Sequence, residues 1–192
     1  RDYSESSIFA DFDNDGDLDI VATYPRKGTV VLYKNDGKGK FDKGTTVYHD
    51  RRVGQVQRVY CLDFDGDGVK EIFCAKGPWG PPGASVGLAQ QKGTMTMKVI
   101  WRSGAGTAYH GFDFRDVDGD GDLDMAAADW RGRSVSVYLQ EKGKLSPTPV
   151  WTAKVGGQGH EAHFGDFDGD GDLDLAVVAL DQALVFENLL KR

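Results

Sequence analysis

The sequence predicts an all-β protein made of four copies of one antiparallel unit, and three observations carry that expectation. A nine-residue acidic segment recurs at residues 11–19, 63–71, 116–124 and 166–174, with first residues 52, 53 and 50 positions apart. A fixed period of this size marks an array of similar supersecondary units. Each copy runs into a short apolar stretch, Ile20 to Ala22, Ile72 to Cys74, Met125 to Ala127 and Leu175 to Val177, which reads as a buried strand. Finally, 26 glycines in 192 residues fit a chain that turns often.

Aligning the copies gives the rest of the unit. The first strand precedes each acidic segment: Ser7 to Ala10, Val56 to Leu62, Ala108 to Phe114 and His160 to Gly165. The second follows the segment, and a Gly- or Pro-bearing turn leads to the third: Thr29 to Tyr33, Ala84 to Ala89, Ser134 to Leu139 and Ala183 to Glu187. Hairpin signals come next, at residues 35–39, 91–93 and 141–143. The fourth strand ends in an aromatic 15 residues before the next segment, Tyr48, Trp101 and Trp151, placed to pack between units. Four antiparallel strands in this span match a β-propeller blade. The expectation is one domain over residues 1–192, with blades at about 1–48, 49–101, 102–151 and 152–192.

The strands do not count out evenly. The fourth strand occurs three times, and Asn188 to Arg192 stand where the last hairpin should begin. The residues before Asp11 align with Val53 onward, after a fourth strand has ended. The last blade is therefore expected to lack its outer strand, and such an open edge pairs readily with another chain. Three architectures fit: part of a longer propeller, four blades completed by a neighbour's strand, or a closed four-bladed monomer.

The acidic segments are ligand lists. In the first, Asp11, Asp13 and Asp15 alternate along a turn that Gly16 allows to bend sharply. The carbonyl at Asp17 and the carboxylate of Asp19 would complete a shell of oxygens, which suits calcium better than magnesium. Without a cation, two carboxylates ~5 Å apart repel by roughly 3 kcal/mol at an effective dielectric of 20. A helix-loop-helix calcium site needs its last ligand at position twelve. Here those positions hold Ala22, Cys74, Ala127 and Val177, and the acid stands at position nine as Asp19, Glu71, Asp124 and Asp174.

This D-x-D-x-D-G-x-x-D pattern between two strands resembles the FG-GAP and VCBS repeats, the calcium-bearing propeller blades of proteins such as the integrin α subunit. The resemblance covers essentially the whole chain. It implies ligands at the first, third, fifth and ninth positions and a backbone carbonyl at the seventh. These are Asp11, Asp13, Asp15, Asp17 and Asp19; Asp63, Asp65, Asp67, Val69 and Glu71; Asp116, Asp118, Asp120, Asp122 and Asp124; and Asp166, Asp168, Asp170, Asp172 and Asp174. The second copy departs from the pattern with Val69 and Glu71. A backbone ligand tolerates Val and Glu can chelate with both oxygens, so that site is expected to stay intact with a different affinity.

Charge and composition exclude several classes. Nineteen of the 30 acids lie in the four segments, leaving 11 elsewhere against 23 Lys and Arg in the chain. Four divalent ions would shift the net charge from −7 to about +1, so the acidity reports metal sites rather than an acidic partner surface. The basic residues, including Arg26, Lys27, Arg51, Arg52, Arg131 and Arg133, are scattered without aromatic interleaving, which argues against nucleic acid. No stretch is long and apolar enough to insert in a membrane, and no signal peptide is present in the sequence. Cys61 and Cys74 flank the second segment, and a register with Asp63 opposite Ile72 would set them face to face. Both a disulfide, fitting an extracellular calcium module, and a pair of buried thiols satisfy that reading.

No nucleophile elbow, phosphate loop or zinc-protease signature occurs, so no catalytic residue is assigned. His110 and His160 both lie six residues before their acidic segments, where Glu5 and Gln57 stand in the other copies. In a propeller these four would ring the channel mouth opposite the calcium loops. Trp79, in a Pro- and Gly-rich insertion peculiar to the second copy, and Trp130 are candidate ligand contacts alongside the histidines. The favoured reading is a calcium-stabilised, non-enzymatic extracellular or cell-surface module for adhesion, glycan recognition or self-association. Its partner would be a second copy or another protein at the open edge, or a glycan. The alternative is the non-catalytic propeller of a larger secreted enzyme acting on polysaccharides or sugars.

Overall fold

Residues 4–50, 56–79, 84–91 and 96–188 are described by a computed structural model of the chain. Arg51, Arg52, the hairpin tip at 92–93, residues 80–83 of the insertion and the tail beyond Asn188 lie outside the described residues. Among the described residues every regular element is a strand, and the strands form four successive antiparallel sheets and one small hairpin. The first holds β1 (Ser6–Ala10), β2 (Asp19–Tyr24), β3 (Thr29–Tyr33) and β4 (Thr45–His49), in that order. The second holds β5 (Val56–Leu62), β6 (Glu71–Lys76), β7 (Val86–Gln90) and β8 (Met97–Arg102).

The third sheet starts with β9 (Tyr109–Arg115), β10 (Asp124–Asp129) and β11 (Ser134–Tyr138). A small separate hairpin, β12 (Gln140–Glu141) with β13 (Lys144–Leu145), precedes its outer strand β14 (Trp151–Lys154). The fourth sheet has three strands among the described residues, β15 (Gly159–Gly165), β16 (Asp174–Ala179) and β17 (Gln182–Phe186). Among the described residues the strands of each unit fall where the repeat places them, and the β12–β13 hairpin is additional.

The turn at each acidic segment is tighter than the sequence suggests. Its ninth residue is already the first residue of the second strand and pairs with the residue just before the segment: Ala10 with Asp19, Leu62 with Glu71, Arg115 with Asp124 and Gly165 with Asp174. This moves the expected register by two, so Cys61 lies opposite Ile72 and Cys74 opposite Val59. The cysteines are free thiols, and burial pushes each up to about 12.

Alternation along the strands gives each sheet two faces, and sheets stack face to face in chain order. One face of the first sheet (Val21, Val30, Leu32) meets Val59, Ile72, Cys74 and Leu88 of the second. The second sheet's other face (Phe73, Ala75) meets Phe112, Phe114, Met125 and Ala127 of the third. The third sheet's other face (Ala126, Ala128, Val135) meets Ala162, Phe164, Leu175 and Val177 of the fourth. The recurring fourth-strand aromatics do serve these seams. Trp101 packs edge-on against Phe112 and Tyr138, and Trp151 against Phe186.

Glycine at position 111 is required by one such approach, because a Cβ there would lie 2.5 Å from Glu161 Oε2 and 2.8 Å from the His160 carbonyl. Extensive packing passes from each sheet to the next, and among the described residues no comparable contact joins the fourth sheet to the first. The closed ring of a propeller is not formed within these residues.

Candidate metal loops and the inner-strand cavity

Each acidic segment forms the turn between the first two strands of its sheet, and its own carboxylates shape it. In the first, Asp11 accepts the amides of Asp15 and Gly16 at 3.1 and 3.2 Å, and Asp15 accepts that of Asp17. The same pattern recurs at Asp63, at Asp116 with Asp120, and at Asp166 with Asp170. The sixth residue is a left-handed glycine every time, at φ 97° for Gly16, 85° for Gly68, 93° for Gly121 and 94° for Gly171. The fourth position is also left-handed, and in the first loop Asn14 takes it at φ 59°. Asn tolerates this region because its short polar side chain bonds locally. Asn14 Nδ2 donates to the Gly68 carbonyl at 2.7 Å, tying the first loop to the second.

The ninth acid is the keystone of each turn. Asp19, Asp124 and Asp174 are buried, and each accepts two backbone amides: from Phe12 and Asn35, from Val117 and Gln140, and from Phe167 and Asn188. Glu71, also buried, accepts the Phe64 amide at 2.9 Å. All four acids therefore close their turns, and Glu71 and Asp124 also converge with the other carboxylates of their loops. Burial pushes the Glu71 carboxyl up to about 7 and that of Asp124 up to about 6, with neighbouring acids adding to the rise. Burial first, and the surrounding loop acids second, also raise Asp17. Clustered anions with suppressed ionisation are what a cation would relieve.

Carboxylate oxygens converge within 4.8 Å of one another in all four loops. The converging sets are Asp11, Asp13 and Asp15; Asp63, Asp65 and Glu71; Asp116, Asp118 and Asp124; and Asp166, Asp168 and Asp170. The first two loops also hold buried oxygens with no hydrogen-bond donor, Oδ1 of Asp13, Asp17 and Asp63. A hard cation is the partner such oxygens lack, so the residues fit a metal ion. Asp67 and Asp120 are not in the converging sets, nor are the ninth residues Asp19 and Asp174, nor the seventh residues Asp17, Val69, Asp122 and Asp172. Asp122 points instead to the Lys142 amide, consistent with a seventh position that offers its carbonyl. Lys34 forms an ion pair with Asp13, a cation neighbour that the sequence pattern did not flag.

At the other end of the first strands lies a cavity of about 420 Å³ lined by Glu5, Gln57, Arg58, Tyr60 and His110 among others. Three of the four aligned positions thus share one cavity. His160 adjoins it, its ring 4.9 Å from that of His110. Trp130 stacks on His110 at 5.5 Å and stands edge-on to His160 at 4.3 Å. Trp79, half exposed, packs on Trp130 at 5.2 Å, and Arg131 fixes that loop by donating to the Pro78 carbonyl. All four candidate contacts therefore form one aromatic strip. Arg58 of the second sheet pairs with Glu161 of the fourth, reaching past the third. Burial, with the nearby His160 and Arg58, lowers the His110 pKa, favouring a neutral imidazole.

Among curated proteins no match was found. A solved structure of similar fold is that of the V. cholerae biofilm matrix protein Bap1, with TM-score 0.56 and 20% identity. The likeness covers 90% of this chain and 23% of that one, so the chain spans less than a quarter of its length. The model of the FG-GAP-like repeat matches residues 11–74 and 116–177. With the repeated strand-loop-strand geometry and the match over most of its length, the chain belongs to the FG-GAP-like repeat family.

Proposed function

We propose that the chain is a calcium-stabilised, non-catalytic module of an extracellular protein that works by adhesion and assembly. The observation that carries this reading is the fourfold recurrence of a turn whose carboxylates converge, with buried oxygens lacking donors in the first two copies. Asp11, Asp13 and Asp15 and their counterparts would hold the ion through oxygen ligands, with carbonyls of the seventh residues completing the shell. Calcium supplies charge neutralisation and rigidity, and the turns then hold the sheets in register. The fold likeness to a biofilm matrix protein supports an extracellular setting. No helix among the described residues is long and apolar enough to cross a membrane.

The test is calcium titration by calorimetry together with terbium luminescence from the loops. The reading requires several sites and a melting temperature that rises with calcium. Absence of binding at millimolar calcium would remove it.

A glycan is the second candidate partner, favoured by the Trp79–Trp130–His110–His160 strip beside a cavity carrying a guanidinium, carboxylate and carboxamide. Aromatic faces and planar polar groups suit the apolar face and paired hydroxyls of a sugar ring. Glycan-array binding that Trp79→Ala abolishes, with melting unchanged, would support it. Binding that survives the substitution would place the glycan elsewhere.

A further inference from the structure

The repeat aligns Glu5, Gln57, His110 and His160, and the last three share a backbone irregularity. Val56 and Arg58 pair with Lys76 and Ala75, Tyr109 and Gly111 with Asp129 and Ala128, and Gly159 and Glu161 with Ala179 and Val178. Gln57, His110 and His160 are passed over by this pairing, each as the extra residue of a β-bulge in β5, β9 and β15. A bulge bends its strand and re-aims the side chain it carries. Three successive first strands bear one at the same aligned place. There Gln57 and His110 line the cavity of about 420 Å³, and His160 adjoins it.

The side chains so placed are short of partners. Outside the acidic loops, two buried side-chain atoms lack a hydrogen-bond partner among the described residues, Gln57 Oε1 and His110 Nδ1, and both residues line this cavity. The His110 ring hydrogen-bonds to the His160 backbone, which leaves Nδ1 of the neutral imidazole as an acceptor. Tyr60 lines the same space. Its oxygen accepts the Phe112 amide at 2.9 Å, and its own O–H remains to donate. The cation in the lining, Arg58, is already engaged. Glu161 lies over Gly111, where no side chain blocks it, and pairs with that guanidinium. Glu5 adds a carboxylate to the wall.

We propose that this cavity binds an uncharged sugar residue, whose hydroxyls donate to His110 Nδ1 and Gln57 Oε1 and accept from Tyr60. The inference rests on the glycan reading above and names the chemical class of the sugar and the wall that selects it. Sugar hydroxyls supply donor and acceptor together, which is what this mixed wall lacks. The volume is that of a small-molecule site. A uronate or sulfated sugar would find Arg58 occupied and would face Glu5 and Glu161. An unpaired anion set beside like charges is a means of rejecting the wrong ligand.

Saturation-transfer NMR of the full chain in calcium tests this, with glucose, galactose, mannose and N-acetylglucosamine set against glucuronate. At least one neutral sugar is expected to bind, and glucuronate to bind more weakly or not at all. His110→Phe removes one acceptor and should weaken binding by roughly tenfold. Gln57→Met, which keeps the side-chain length and removes the oxygen, should do the same if the first variant melts early. His110→Asn, which returns an acceptor oxygen, should restore binding. Wild-type affinity is expected to fall as acid protonates Nδ1, and His110→Asn to lose most of that fall. The comparison separates His110 from Glu5, Arg58, Tyr60, His160 and Glu161, the other charged or titratable groups around it. Silence of all four neutral sugars, or binding that both His110→Phe and Gln57→Met leave unchanged, would overturn the proposal. So would a preference for glucuronate. Trp79-dependent binding on the glycan array, persisting beside any of these results, would keep the glycan reading and discard this site.

Discussion

The second and fourth sheets share a plan and a loop, yet they sit differently in the molecule. Every residue of β6 in the second sheet is buried, because neighbours cover both faces. In β16 burial alternates, with Leu175 and Val177 covered and Val178 open. Residue type does not explain this, for both strands are strongly apolar. Position in the stack does: a repeat's stability comes from its neighbours as much as from itself.

Cation removal tests that difference with the largest effect. If the loops hold calcium as proposed, each site would stabilise by about 2.7 kcal/mol at a hundredfold excess over its dissociation constant, so EDTA should lower the melting temperature sharply. Hydrogen exchange should then rise first in the first and fourth sheets, each packed on one neighbour among the described residues, and last in the second and third. Uniform exchange across the four sheets would break the comparison.

Next in size is Phe73→Ala in β6, a fully buried ring packed between Phe64 and Phe114. It should cost about 3–5 kcal/mol in urea unfolding. Gln140→Ala removes a bond across the second seam and leaves a buried carbonyl unmet, with an expected loss of about 1–3 kcal/mol. Asn35→Ala, whose Nδ2 bonds within its own unit to the Leu18 carbonyl, should cost less. Smallest of all, Val185→Thr on the open face should change stability by under about 0.5 kcal/mol. A loss there matching that of Gln140→Ala would mean the face is covered within the chain.

Much of this was legible in the sequence because the repeat averages out local ambiguity. The third strand at Thr29–Tyr33 and the first strand at Val56–Leu62 appear as expected. The cysteine register was not legible. The ninth acid turns inward to accept the amide of the second loop residue, which tightens the turn and moves the partner strand by two. Nor was the contact of Trp79 with Trp130, since an insertion removes Trp79 from the repeat alignment. Also hidden were the carboxamides that reach back to the loop of the preceding unit, Gln90 to the Phe12 carbonyl, Gln140 to that of Phe64 and Asn188 to that of Val117, because residue type and spacing both vary. Convergence of the carboxylates followed from their alternation, but which acids converge differs from loop to loop, with Asp19, Asp67, Asp120 and Asp174 outside the sets, and spacing does not encode that.

The bond from Asn14 to the Gly68 carbonyl joins two turns that belong to different sheets. An ion seated among Asp11, Asp13 and Asp15 would fix the backbone that carries Asn14, and through it restrain the neighbouring turn at its sharpest bend. On the calcium reading proposed above, the two turns would fill in concert, the earlier occupant easing entry of the later. Replacing Asn14 by Gly would uncouple them into independent binders.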